Sequence, residues 1–136
     1  MMMKQFFITN GWIIDVVEGE VYQGALEIND GYIQNIHRGE LELENQHVID
    51  VRGKYLLPGL IDMHCHVNET IARQFVASGI TTVRNTGGQG LERLKPLISA
   101  PMDAPTPRVY AADRLIDGPP GLWGPTSEGT FVTDDP

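Results

Sequence analysis

The sequence predicts a mixed α/β chain: a small antiparallel β-unit over residues 1–57, then an alternating strand–helix run over residues 58–136. Three observations lead there. Up to Leu57 the apolar residues come in short runs, separated by turn residues and without a helical period. After it, strand-length apolar runs alternate with stretches of helical spacing, the pattern of parallel strands joined by crossovers. Pro58-Gly59 stands where one pattern gives way to the other.

Each element has its own signal. Phe6-Phe7-Ile8 reads as a strand, and Asn10-Gly11 after it as a turn. Trp12-Ile13-Ile14-Asp15-Val16-Val17 is a second apolar run. Ala25–Ile28 and Tyr32–Ile36 flank Asn29-Asp30-Gly31, three residues that tolerate positive φ and so close a hairpin. Val48-Ile49-Asp50-Val51 is another strand, with Gly53 turning the chain. From Leu56 to His66 the run is almost continuously apolar, as in a strand buried on both faces. Asn68 is placed to cap a helix reaching about Ser78, with Ile71, Phe75 and Val76 on one side and Gly79 at its end. Ile80–Asn85 is β-branched and reads as a strand. After the Gly87-Gly88-Gln89-Gly90 loop, Leu91, Leu94, Leu97 and Ile98 have helical spacing, with Pro96 weakening or kinking that helix. Residues 100–107 are a proline-rich connection, and Arg108–Ala112 is a third strand. From Leu115 the chain is rich in Gly and Pro, without a regular pattern.

Composition narrows the function classes. Hydrophobic residues make up 41% of the 136, enough for a packed core. A net charge of -8 argues against nucleic acid, whose phosphates need a basic footprint, and against an anionic membrane surface. No apolar run is long enough to span a bilayer, and the apolar N-terminus is broken at Lys4, Gln5, Thr9 and Asn10. With a single cysteine, no intrachain disulfide can form, which suits a reducing compartment. The expectation is a cytoplasmic protein.

The stretch that carries chemistry is Leu57-Pro58-Gly59-Leu60-Ile61-Asp62-Met63-His64-Cys65-His66. Side chains alternate faces along a strand, so His64 and His66 point to the same side. Two imidazoles at a strand end make half of a metal site. Asp62 shares that face and can support the site from beneath, while Cys65 points away, into packing. Arg84 closes the next strand, where it can face substrate or form a structural ion pair. The Gly87–Gly90 loop lacks the Lys-Ser/Thr of a phosphate-binding loop and reads as a tight strand-to-helix turn. His37 and His47 lie in polar, turn-rich surroundings and read as solvated; Trp123 lies in the irregular tail.

From about Phe6 to Ala112 the chain resembles the N-terminal portion of an amidohydrolase-superfamily metalloenzyme. The Pro-Gly entry into a strand that ends in His-x-His is similar to the family signature. The turn at Asp30-Gly31 matches the preceding small β-domain. Gly79–Asn85 and Pro107–Ala111 resemble the second and third strands of the branch containing imidazolonepropionases and prolidase-like dipeptidases. The resemblance implies half of a composite β-sandwich over 1–57 and, over 58–136, the first three strands and two helices of an incomplete (β/α)8 barrel, whose full form takes about 250 residues. It implies that His64 and His66 hold a divalent metal, zinc foremost, with Asp62 and Arg84 supporting the site or facing substrate. The remaining ligands and the general base, an aspartate, come from later strands, so no residue here is assigned a catalytic role. Two departures bear on substrate: Asn85 stands where an aspartate is common, and Leu115–Trp123 replaces a Gly-Gly-His loop.

The implied activity is metal-activated hydrolysis of an amide or cyclic-amide C–N bond in a non-peptide or dipeptide small molecule. These 136 residues alone are expected to show no turnover and only weak metal binding. A different class stays open: a structural or assembly module, a homo-oligomer through its open sheet edges, or one chain of a split enzyme completed by a partner chain.

Overall fold

The computed structural model describes residues 5–88, 90–117 and 130–132. The chain divides into two units, Met1–Pro58 and Gly59–Pro136.

The first unit is one five-stranded sheet built on a long central strand, β1 (Gln5–Asp15). Strand β2 (Glu20–Asn29) pairs antiparallel with β1, and β3 (Tyr32–Arg38) antiparallel with β2. The β2–β3 hairpin turns at Asp30 (φ 49°) and Gly31 (φ 83°), both left-handed, as the Asn-Asp-Gly signal requires. On its other side β1 carries two short strands in tandem, β4 (Val48–Asp50) and β5 (Tyr55–Leu56). Both run parallel to β1, so the expected purely antiparallel unit is in fact a mixed sheet. The chain returns over residues 39–47 before β4, and that detour brings β4 back in the direction of β1.

Asn10-Gly11 does not turn the chain. It forms a β-bulge within the continuous β1, with Asn10 at φ 56° and the register shifting between Ile8 and Gly11. A left-handed residue serves a bulge as well as a turn, so the dipeptide alone does not separate them. The bulge also explains the break between β4 and β5. Across it, the Gly53 amide donates to the Asn10 carbonyl (2.6 Å) and the Asn10 side-chain amide to Asp50 Oδ1 (3.0 Å). Phe7, Ile13, Ala25 and Ile28 form the buried side of this sheet.

The second unit is a strand–helix–strand–helix–strand run: β6 (Leu60–Cys65), α1 (Ala72–Ala77), β7 (Ile80–Asn85), α2 (Leu91–Ile98) and β8 (Arg108–Ala111). The strands are parallel in the order β6-β7-β8. Its core is Cys65, Val67, Ala72, Val83, Leu94, Leu97 and Val109, with Phe75, Ile80 and Ala111 against it. Leu94 and Leu97 reach this core because their spacing puts them on one face of α2, and Pro96 does not end that helix, which runs on to Ile98. Asn68 caps the turn ahead of α1, not its first residue: its Oδ1 accepts from the Thr70 and Ile71 amides at 3.0 and 3.2 Å. The helix itself starts later than expected, at Ala72.

Two expectations fail here. The apolar run into His66 is not buried on both faces. Leu60, Ile61 and Met63 are 52%, 62% and 58% exposed, because among the described residues α1 packs on β7 and α2 on β8, and neither helix covers β6. The tail is also not wholly irregular: β9 (Leu115–Asp117) and β10 (Thr130–Val132) form a two-stranded parallel sheet. Trp123 lies outside the described residues. Among the described residues no helix is long and apolar enough to cross a membrane.

Candidate metal centre

The entry into β6 is shaped by backbone crowding. The Leu60 amide donates to the Gly79 carbonyl (2.9 Å), and a Cβ at residue 59 would run into the Thr81 side chain. Glycine after Pro58 therefore lets β6 start flush against β7. Downstream the register slips between Asp62 and Cys65, and β6 ends there, one residue before His66.

At that end the two histidines come together. The His64 and His66 rings stand edge to face with centroids 6.1 Å apart, and both residues are exposed. Two metal–nitrogen bonds of about 2.0–2.1 Å plus the ring radii span a separation of this order. His66 Nδ1 lies 3.0 Å from the Gly87 carbonyl oxygen. A carbonyl can only accept, so Nδ1 carries the proton and, in the neutral ring, Nε2 keeps its lone pair. That is the ring state a metal ligand needs, and it is the observation by which these residues fit a divalent ion. Among the described residues no cluster of three or more His, Cys, Asp or Glu accompanies the pair.

Asp62 reaches the backbone of the pair. Its Oδ1 accepts from the His64 amide (3.0 Å) and spans the irregular stretch of β6. Cys65 is buried, with its Sγ 3.7 Å from the Arg84 carbonyl oxygen, so it packs as expected. Burial pushes its thiol pKa up, and the nearby Asp62 charge adds to the shift. Arg84 is exposed on β7, opposite Tyr110 of β8 in the register.

Two contributors escaped the sequence reading. Asn85 is fully buried, and its Oδ1 accepts from the Val67 amide (2.9 Å), pinning the backbone just after His66. Its Nδ2 and the Thr86 hydroxyl are buried without a hydrogen-bond partner among the described residues. The other contributor is the Gly87 carbonyl. Both depend on the register of β6 against β7, which sets Asn85 beside Cys65. His37 also departs from expectation. It is half-buried, with Nε2 3.5 Å from Glu27 Oε2 and its ring tilted against Phe7, so it is not simply solvated. His47 is exposed, edge-on to Phe6.

No family model matches the chain. It is 33% identical over 111 residues to an adenine deaminase of Listeria welshimeri, a match covering 71% of this chain and 19% of that protein. Over 82 residues it is 38% identical to an adenine deaminase of Geobacillus kaustophilus. Among solved structures, a Xaa-Pro dipeptidase with bound methionine in its active site is 27% identical, with a TM-score of 0.70, over 97% of this chain and 39% of that one. The fold also matches a crystal structure of a putative prolidase from Bifidobacterium longum, with a TM-score of 0.73 at 24% identity, over 97% of this chain and 35% of that one.

The chain belongs to the amidohydrolase superfamily. It matches the N-terminal portion of these proteins. It spans about a fifth of the length of the curated relatives and about two fifths of the solved structures it matches. The amidohydrolase match extends over both units, since each structural likeness covers nearly the whole chain.

Proposed function

We propose that this chain forms the N-terminal part of a metal-dependent amidohydrolase that cleaves a C–N bond in a non-peptide or dipeptide small molecule. In this reading residues 1–57 are the composite β-domain and residues 58–136 open a (β/α)8 barrel, with β6 as its first strand. His64 and His66 supply two ligands to a divalent ion, zinc foremost. When bound, that ion would polarise the scissile group and activate water. The chain's own contribution is to present two imidazoles at a strand end and to hold them there through Asp62, Asn85 and Gly87. Arg84 would face substrate.

The carrying observation is the His64–His66 pair with the Nε2 of His66 left free. The relatives support the bond class, since adenine deaminases and a Xaa-Pro dipeptidase both break C–N bonds. The sequence likeness favours a deaminase-type amidine and the structural likeness a dipeptide. The exposed edge of β6 and the exposed Tyr110 on β8 favour completion by further polypeptide over a free-standing module.

The test has two arms. In equilibrium dialysis the 136-residue chain should bind Zn²⁺ weakly, with affinity falling at least about tenfold in His64→Ala and in His66→Ala. Unchanged binding in both variants would contradict the assignment. The same chain should release no ammonia from adenine and cleave no Xaa-Pro dipeptide. Turnover that His64→Ala abolishes would show that the remaining ligands and base are not needed, against this reading.

A further inference from the structure

The segment after β7 lies between two stretches of backbone. On one side it faces the end of β6: the Thr86 amide donates to the Cys65 carbonyl (3.2 Å), Asn85 Oδ1 accepts from the Val67 amide, and the Gly87 carbonyl accepts from His66 Nδ1. These three bonds bracket His66 on both sides and at its ring. On the other side the segment meets residues 112–115. The Ala112 amide donates to the Asn85 carbonyl (2.9 Å), and Asp113 Oδ1 accepts from the Leu91 amide at the start of α2 (3.0 Å).

Gly87 is wedged between these stretches. It sits at φ +106°, and a Cβ there would come within 2.7 Å of the Arg114 carbonyl carbon and 2.9 Å of the Leu115 amide nitrogen. No side chain fits without displacing that backbone or the carbonyl that His66 uses. Residue 87 is thus tied at once to His66 and to the Arg114–Leu115 segment.

We infer that Asn85 and Gly87 are positioning residues for His66: they fix its ring in the Nδ1–H tautomer and aim Nε2 outward, before any metal is present. The inference rests on the reading of His66 as a metal ligand only for its purpose. The tautomer itself is a property of the metal-free chain. Free histidine in water favours the opposite tautomer, so the effect has a distinct signature. Asn85 acts one step back, holding the Val67 amide so that the backbone carrying His66 cannot slide along β7. Among the described residues its side-chain hydrogen bond is made through the oxygen.

The experiment is a long-range ¹H–¹⁵N correlation spectrum of the histidine rings in the metal-free 136-residue chain at about pH 8, above the ordinary imidazole range. His66 should show a protonated Nδ1 and an unprotonated Nε2. His64, whose ring has no such partner among the described residues, should show the solution mixture. Gly87→Ala should return His66 to that mixture and weaken Zn²⁺ binding by about 10–100-fold, the range for lost ligand-orienting contacts. Should Gly87→Ala fail to fold, Asn85 supplies the second comparison: Asn85→Asp keeps an oxygen for Val67 and should retain the tautomer, while Asn85→Ala should lose it. A His66 that is Nε2–H or averaged in the wild-type chain overturns the inference, whatever zinc does. A His66 fixed as Nδ1–H whose ring ignores added Zn²⁺ leaves the positioning intact and contradicts the metal reading instead.

Discussion

His37 on the N-terminal sheet and His66 at the end of β6 both lie beside a neighbouring strand, yet each is held differently. His37 turns Nε2 toward the Glu27 carboxylate, which already accepts from Gln5 (2.9 Å) and Asn35 (2.7 Å), and lays its ring against Phe7. That nitrogen is buried and makes no hydrogen bond among the described residues, so packing and, when the ring is protonated, the carboxylate's charge hold it. His66 meets a backbone carbonyl through Nδ1, with its ring edge to face with His64, at an exposed strand end. Burial of the outer nitrogen beside a carboxylate ties a histidine into structure, whereas a carbonyl on one nitrogen prepares the other for a ligand. The difference is which nitrogen stays accessible.

The comparison can be broken at its platform first. Leu94 is fully buried under the β6–β7–β8 sheet, so Leu94→Ala should destabilise the second unit by about 2–5 kcal/mol. Urea unfolding followed through Val67 and Val83 resonances would measure it, and a loss below 1 kcal/mol, on the order of a surface change, would show that this core does not support the site. Next comes Asn85→Ala, which strands the buried Val67 amide and should cost about 1–3 kcal/mol. Asn85→Asp should recover most of that, as equilibrium denaturation of the two variants side by side would reveal.

The smallest effect lies on the His37 side. Glu27 has its carboxyl pKa held down, chiefly by the Asn35 side-chain hydrogen bond, then by Gln5, with His37 adding less. A depressed folded-state pKa contributes stability above the unfolded carboxylate value, lost as pH falls through the lower folded value. Stability of the first unit should therefore decline on acidification through and below the ordinary carboxylate range. Asn35→Ala should flatten that decline slightly without touching the response of His64 or His66 to zinc. An acid profile indifferent to Asn35 would remove the contrast.

How much of this the sequence discloses depends on range. The hairpin at Asp30-Gly31 is legible because the conformation a two-residue turn needs is carried by those residues themselves. The parallel attachment of β4 and β5 to β1 is not, because it joins residues some forty positions apart and leaves no mark in local periodicity. Leu60, Ile61 and Met63 read as buried because their apolarity fits a strand covered on both faces; with α1 on β7 and α2 on β8, no helix among the described residues covers β6 and they are exposed. At the site, the His64–His66 spacing discloses the pair directly. The Gly87 carbonyl and the Asn85–Val67 bond could not be read, since both depend on the register of β6 against β7.

The most direct measurement follows all four histidine rings by NMR while Zn²⁺ is added to the chain. The account predicts that His64 and His66 shift together at the lowest zinc concentrations, while His37 and His47 stay in place. A response led by His37 or His47, or spread evenly over the four rings, would contradict it.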